Sequence, residues 1–119
     1  MSTINQLLLT ADTLRENALP IEQKALWLCE LESRITGEVL KSPRYLVYPE
    51  DADTQLSVPS PYDALYRYYL YAQIDFAQRE YEEYNNAIKL FNSTLAAYMA
   101  EERRSHKQAK QTGYRYFTP

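Results

Sequence analysis

The 119 residues are 45% hydrophobic and 24% charged, a balance that excludes both a disordered polyelectrolyte and a membrane-embedded chain and fits one domain with a modest core. No apolar run nears the roughly 20 residues a bilayer crossing needs, and the opening Met1-Ser2-Thr3-Ile4-Asn5-Gln6 carries no basic, cleavable leader, so a cytoplasmic product is expected. The net charge of −3 is uneven, −6 over residues 1–100 and +3 over 101–119, and an acidic body argues against general nucleic-acid binding, which needs clustered cations.

Residues 3–17 read as the first helix. Ile4, Leu7, Leu8, Ala11 and Leu14 recur at 3-and-4 spacing, and Thr3 with Gln6 fits a capping box. Asn17-Ala18-Leu19-Pro20 interrupts the pattern, and Pro20 suits the first position of a second helix over 20–40. Its stripe is Ile21, Ala25, Leu28, Leu31, Ile35 and Val39. Residues 41–60 contain Pro43, Pro49 and Pro59 and predict a long irregular loop, with Tyr45-Leu46-Val47-Tyr48 as a short extended arm. Such a loop in a small domain is usually a binding element.

Ser60-Pro61-Tyr62-Asp63 predicts a helix start: Ser60 as cap, Pro61 in the first helical position and Asp63 closing the box. The pattern that follows has no Pro or Gly until Gly113. Leu70, Ile74, Ala77, Tyr81, Tyr84, Ile88, Phe91, Leu95 and Tyr98 form a heptad seam, and Leu65, Tyr69, Ala72 and Phe76 add a second stripe to the first part only. One unbroken helix over 62–104 would be roughly 64 Å long. The chain therefore either bends near Gln78–Glu83, giving helices over 61–78 and 80–106, or projects toward a partner. The expected fold is all-α, three to four helices in a single domain over 1–107, with a flexible tail over 108–119.

Residues suited to catalysis are sparse. The single histidine, His106, lies in a basic segment, and Cys29 sits beside an amphipathic stripe, where a buried thiol is an inert small hydrophobe. One Cys and one His cannot build a zinc site. Glu50, Asp51 and Asp53 resemble part of a calcium loop but lack its glycine and distal glutamate. The reading is a non-enzyme with no cofactor or metal. Arg103, Arg104 and Lys107 are candidate phosphate contacts, or simply a solvated helix end complementing the macrodipole.

The positive signal is tyrosine. Of twelve in the chain, Tyr62, Tyr66, Tyr68, Tyr69, Tyr71, Tyr81 and Tyr84 crowd 23 residues, too many for one small core. Tyrosine combines large apolar area with few rotamers and a wet edge. These seven, with Tyr45 and Tyr48 on the loop, are predicted to line an interface with further copies or a partner.

Val58-Pro59-Ser60-Pro61-Tyr62-Asp63-Ala64-Leu65-Tyr66, Ala72-Gln73-Ile74-Asp75-Phe76, Tyr84-Asn85-Asn86-Ala87 and Leu90-Phe91-Asn92 together resemble a family of small tailed-bacteriophage and prophage proteins. Thr3-Ile4-Asn5 and the Glu22–Glu32 segment share the likeness. Relatives tend to carry a glycine near the position of Arg79, where a break in the helix would fall. The family is similar to helical head–tail connector (adaptor) proteins. The resemblance implies a non-enzymatic, ring-forming virion protein, present in the host cytoplasm during assembly. It further implies contacts with portal and tail-completion proteins and DNA passing transiently through a lumen. The alternative is a cytoplasmic helical adaptor, or a small DNA-packaging or DNA-binding component using the basic end.

Overall fold

The computed structural model describes the backbone of residues 2–117 and the side chains of residues 2–105. Four helices follow one another: α1 (Ile4–Leu14), α2 (Ile21–Glu38), α3 (Ala64–Ala77) and α4 (Tyr81–Phe117). The all-α expectation holds. The mobility expected of 108–119 falls outside the described side chains.

The first helix starts as its sequence dictates. Gln6 N–H donates to Thr3 Oγ1 and Thr3 N–H donates to Gln6 Oε1, each at 3.2 Å, which covers two backbone donors that helix geometry leaves unpaired. It ends three residues before the expected Asn17. Asn17 Nδ2 donates to the Arg15 carbonyl at 2.7 Å, and Leu19 N–H donates to Asn17 Oδ1. An amide side chain competing for backbone groups in this way ends the helix. Pro20 caps α2 rather than opening it.

The start of α3 differs from the capping box expected of Ser60, Pro61 and Asp63. Asp63 occupies the cap position but its side chain covers no backbone N–H. Its carboxylate instead accepts from the Ser60 and Ser2 hydroxyls, both at 3.2 Å, while Asp63 N–H donates to the Pro59 carbonyl. With the carboxylate occupied by two hydroxyls, residues 60–63 form turns and the helix begins at Ala64.

Between α3 and α4 the chain reverses over Gln78-Arg79-Glu80, so the sequence's alternative of one projecting helix is not adopted. Glu80 N–H donates to the Asp75 carbonyl at 2.8 Å and Arg79 N–H to the Phe76 carbonyl at 3.1 Å, the two bonds of a Schellman ending. That motif requires a left-handed residue, and Arg79 takes it with φ 61°.

Ile4, Leu8 and Ala11 of α1, Ala25, Leu28 and Ile35 of α2, and Leu65, Leu70 and Ile74 of α3 share one buried cluster with Leu56 and Val58 of the loop. The loop is therefore part of the core rather than an appendage. It is also tied to α1: Asn5 N–H donates to the Ala52 carbonyl, Leu56 N–H donates to the Ser2 carbonyl, and Thr3 and Gln55 form an isolated antiparallel bridge. Among the described residues α4 packs on α3 and on no other helix.

Candidate protein–protein interface

The loop is held by Glu32, which is completely buried on α2. Its Oε2 accepts from Ser57 N–H and Ser57 Oγ, both at 2.9 Å, and from Arg44 at 3.4 Å; its Oε1 accepts from the Tyr66 hydroxyl at 2.7 Å. Tyr66 in turn accepts from Val58 N–H at 3.0 Å. Arg44 also reaches the Gln55 carbonyl and Ser57 Oγ, and its own N–H donates to Thr36 Oγ1. A carboxylate this deep is tolerable only with its lone pairs filled, and here both oxygens have partners. Burial, reinforced by Glu32, raises the Tyr66 phenol, which stays a protonated donor.

This latch fixes the arm. Leu46 and Tyr48 face inward against the core, whereas Tyr45 is 76% and Val47 58% exposed. The alternation is that of extended chain. Asp51 stabilises the turn beyond: Val47 N–H donates to its Oδ2 at 2.7 Å, and Asp53 Oδ1 accepts from Asn5 Nδ2. Asp51 and Asp53, two of the three acids considered as part of a calcium loop, thus brace the fold. Between the arm and α2 runs a groove of about 410 Å³ bordered by Leu26, Cys29, Ser33, Arg34, Tyr45 and Leu46. Burial, then Asp51, Glu30 and Glu32, raises the Cys29 thiol and keeps it weakly nucleophilic.

A second exposed apolar surface lies at the α3–α4 bend. Phe76, 54% exposed, meets Tyr81, 53% exposed, edge-on at 5.7 Å and Tyr84 at 5.2 Å.

The tyrosines therefore separate. Tyr66 is fully buried and Tyr69 and Tyr71 nearly so, a correction to their reading as a surface: they seal elements of one chain to each other. Tyr62, Tyr68, Tyr84 and Tyr48 are half-buried, leaving Tyr45 and Tyr81 freely presented. The reason lies in an aromatic ladder. Tyr62 pairs with Tyr98 (5.7 Å between ring centres), Tyr69 with Phe91 (5.3 Å) and Phe76 with Tyr84. On each side of the bend the rings recur every seventh residue, Tyr62 standing in the turn just ahead of α3, and each cross-pair lies equally far from the centre of the bend, which is an antiparallel zipper. Burial, then Glu102, pushes the Tyr98 phenol up to about 12.

Three groups meet beneath the bend. Arg15 lies 4.9 Å from the Tyr71 ring centre and 3.7 Å from Asp75 Oδ2. Arg15 Nε, Tyr71 Oη and Asp75 Oδ2 make no hydrogen bond within the protein. Burial raises the Asp75 carboxyl above the usual range, Glu83 and Glu80 adding to the effect and Arg15 opposing it. At the basic end Arg104 pairs with Glu101 and Arg103 is exposed; Lys107 lies outside the described side chains. Among the described residues no three His, Cys, Asp or Glu side chains converge as a metal site would require, and no helix is long and apolar enough to cross a membrane.

Lys24, Glu32 and Asp75 are buried, which the apolar stripes of the sequence do not predict. A signal existed: Lys24, Leu28, Glu32 and Thr36 form one i+4 row on α2, and polar residues in line with an apolar stripe point inward with it. Comparison of the chain with family models, curated proteins and solved structures finds no significant match.

Proposed function

We propose that the chain is a structural subunit of a tailed-phage particle, a head–tail connector that forms a ring of identical copies between portal and tail. It would assemble in the host cytoplasm and remain in the virion. The observation that carries the reading is the pair of exposed apolar surfaces on different elements, Tyr45 and Val47 beside Leu26, and Phe76 with Tyr81 at the bend. A closed ring needs head-to-tail contacts in which each copy uses two different patches, and a latched arm presents one of them without ordering cost on docking. The motifs from Val58 to Asn92 that resemble the phage family supply the identity of the ring, and the acidic body lets DNA pass without adhering.

The test is assembly of the Tyr45→Ser/Val47→Ser chain, and separately Tyr81→Ser, measured by light scattering and by co-sedimentation with portal and tail-completion proteins. Exposed substitutions of this kind shift stability by about 0.5 kcal/mol or less, so loss of assembly with an unchanged urea midpoint supports the reading. Wild-type protein that stays monomeric and binds neither portal nor tail protein refutes it.

A further inference from the structure

We propose that α4 exchanges between two copies of the chain: the bend at Gln78–Glu80 opens, and the α4 of each copy takes the place of the other's on α3. This inference rests on the bend and the aromatic ladder, and stands whether or not the chain forms a connector ring.

Four observations carry it. First, the bend is strained where a glycine would relieve it, since Arg79 holds φ 61°, a conformation that disfavours any residue with a Cβ. Second, the sequence through the bend, Ala77-Gln78-Arg79-Glu80-Tyr81-Glu82-Glu83, contains no Pro or Gly and favours continuous helix. Every one of these residues is exposed, so straightening disturbs little core. Third, among the described residues the backbone of α4 packs against α3 and no other helix, with Tyr98 also feeling the charge of Glu32 on α2, so a donated α4 can reproduce most of the helix–helix contact. Short hinges under strain are the usual setting for such exchange.

The fourth observation is the azimuth. Tyr69 and Phe91 are 22 residues apart and Phe76 and Tyr84 are eight apart, so in a continuous helix the members of the two pairs differ by about 40° and about 80°. The α3 and α4 halves of the ladder thus fall within one sector of about 80° once the bend straightens, on a single side of the helix. Two such helices, antiparallel and related by a two-fold axis near Glu80, pair Tyr62 with Tyr98, Tyr69 with Phe91 and Phe76 with Tyr84 between chains in the register now seen within one.

Opening breaks the two bonds of the Schellman ending and returns their groups to ordinary helical bonding, so the balance turns on position 79. Arg79→Gly relieves the closed bend and weakens the straight helix. Each effect is worth roughly fivefold per chain, so a dimer that straightens two bends loses on the order of several hundredfold in its association constant. Arg79→Ala keeps both the strain and the helix preference and retains the dimer.

The experiment refolds wild type, R79G and R79A from urea at about millimolar concentration, dilutes them, and measures mass by light scattering. In parallel, a chain carrying Phe76→Cys and a chain carrying Tyr84→Cys, both with Cys29→Ala, are refolded together and oxidised. Exchange gives a dimer in wild type and R79A that persists on dilution and is lost in R79G, with a disulfide joining the two different chains. Absence of the mixed disulfide, or an equal yield of it when Arg79→Gly is added to both chains, overturns the proposal, because association through the outer surfaces would not depend on position 79.

Discussion

Replacing Tyr66 by Phe removes one oxygen atom from the core and leaves its shape almost unchanged, which isolates the hydrogen bonds from packing. Two are lost: the 2.7 Å bond from the hydroxyl to Glu32 and the 3.0 Å bond it accepts from Val58 N–H. A bond to a charged group contributes about 1.5–3 kcal/mol, and a buried N–H left without a partner costs a further ~1–3 kcal/mol. Taking the lower part of each range gives about 3 kcal/mol, which for a chain of this size lowers the melting temperature by roughly 10 °C. The loss is also local. Ser57 and Arg44 meet at the same Glu32 carboxylate that Tyr66 donates to, and Val58 is held through the Tyr66 hydroxyl, so the arm loosens before the helices do. Urea unfolding followed by circular dichroism measures the first effect, and the rate of tryptic cleavage at Lys41 and Arg44 measures the second. A Tyr66→Phe chain within 0.5 kcal/mol of wild type, cleaved at an unchanged rate, refutes the view that this network holds the arm. Glu32→Gln combined with Tyr66→Phe closes a double-mutant cycle, and the shared bond predicts that the two losses fall short of additive by at least about 1 kcal/mol.

Asp75→Asn tests the group beneath the bend. Burial holds the folded carboxyl above its unfolded value, so the folded chain keeps the proton to higher pH and stability falls as pH rises from about 4 through the raised value. The asparagine chain is therefore flatter in urea midpoint between pH 4 and 7 and at least as stable as wild type at pH 7; identical slopes count against the argument. Lys24 is buried beside Asp12 and Asn17, with Asp12 itself half exposed. Asp12→Ala leaves a buried ammonium short of its counter-charge and costs about 3 kcal/mol, whereas Lys24→Met leaves only a hydrated carboxylate and costs about 1 kcal/mol or less, an asymmetry read from urea midpoints. Arg79→Gly raises the stability of the closed chain by about 1 kcal/mol, measured at micromolar concentration.

Local chemistry decided how far the chain could be read. One helix boundary follows fully from its cap: Thr3 with Gln6 is a complete statement of where α1 begins, because the groups that satisfy its end are three residues apart in sequence. Length leaves two alternatives, a bend near Gln78–Glu83 or a helix projecting toward a partner, because an uninterrupted helix exceeds a compact body; the polar cluster there places the bend, and the chain takes it. Its left-handed Arg79 was not foreseen, because nothing in the residue type asks for that conformation; the surrounding packing imposes it. The capping role of Ser60 and Asp63 failed for a related reason. Asp63 meets the hydroxyl of Ser2, a residue 61 positions away, and no local pattern reports such a competitor. Glu32 is the clearest case. Its three partners come from Arg44, Ser57 and Tyr66, and only the assembled loop makes a buried carboxylate tolerable there.

The density of tyrosine has a simple origin once the hairpin is drawn. A helix between a core and a second helix needs two apolar faces, and α3 has them: Tyr66, Leu70 and Ile74 toward the body, Tyr69 and Phe76 toward α4, with Tyr62 of the preceding turn continuing the second. At 3.6 residues per turn two such faces leave few positions for anything else, so aromatic residues accumulate in α3 without any demand from a partner molecule. The argument from number to interface therefore fails for the buried rings and survives only for rings that neither face needs. Tyr45 stands outward from a latched arm, and Tyr81 lies past the last rung of the ladder. Their exposure is not required by the fold of one chain. Apolar area kept in water at no structural need is where selection by a second surface is to be sought, which makes the arm and the bend, rather than the tyrosine-rich helix, the surfaces on which the proposed contact between copies is to be tested.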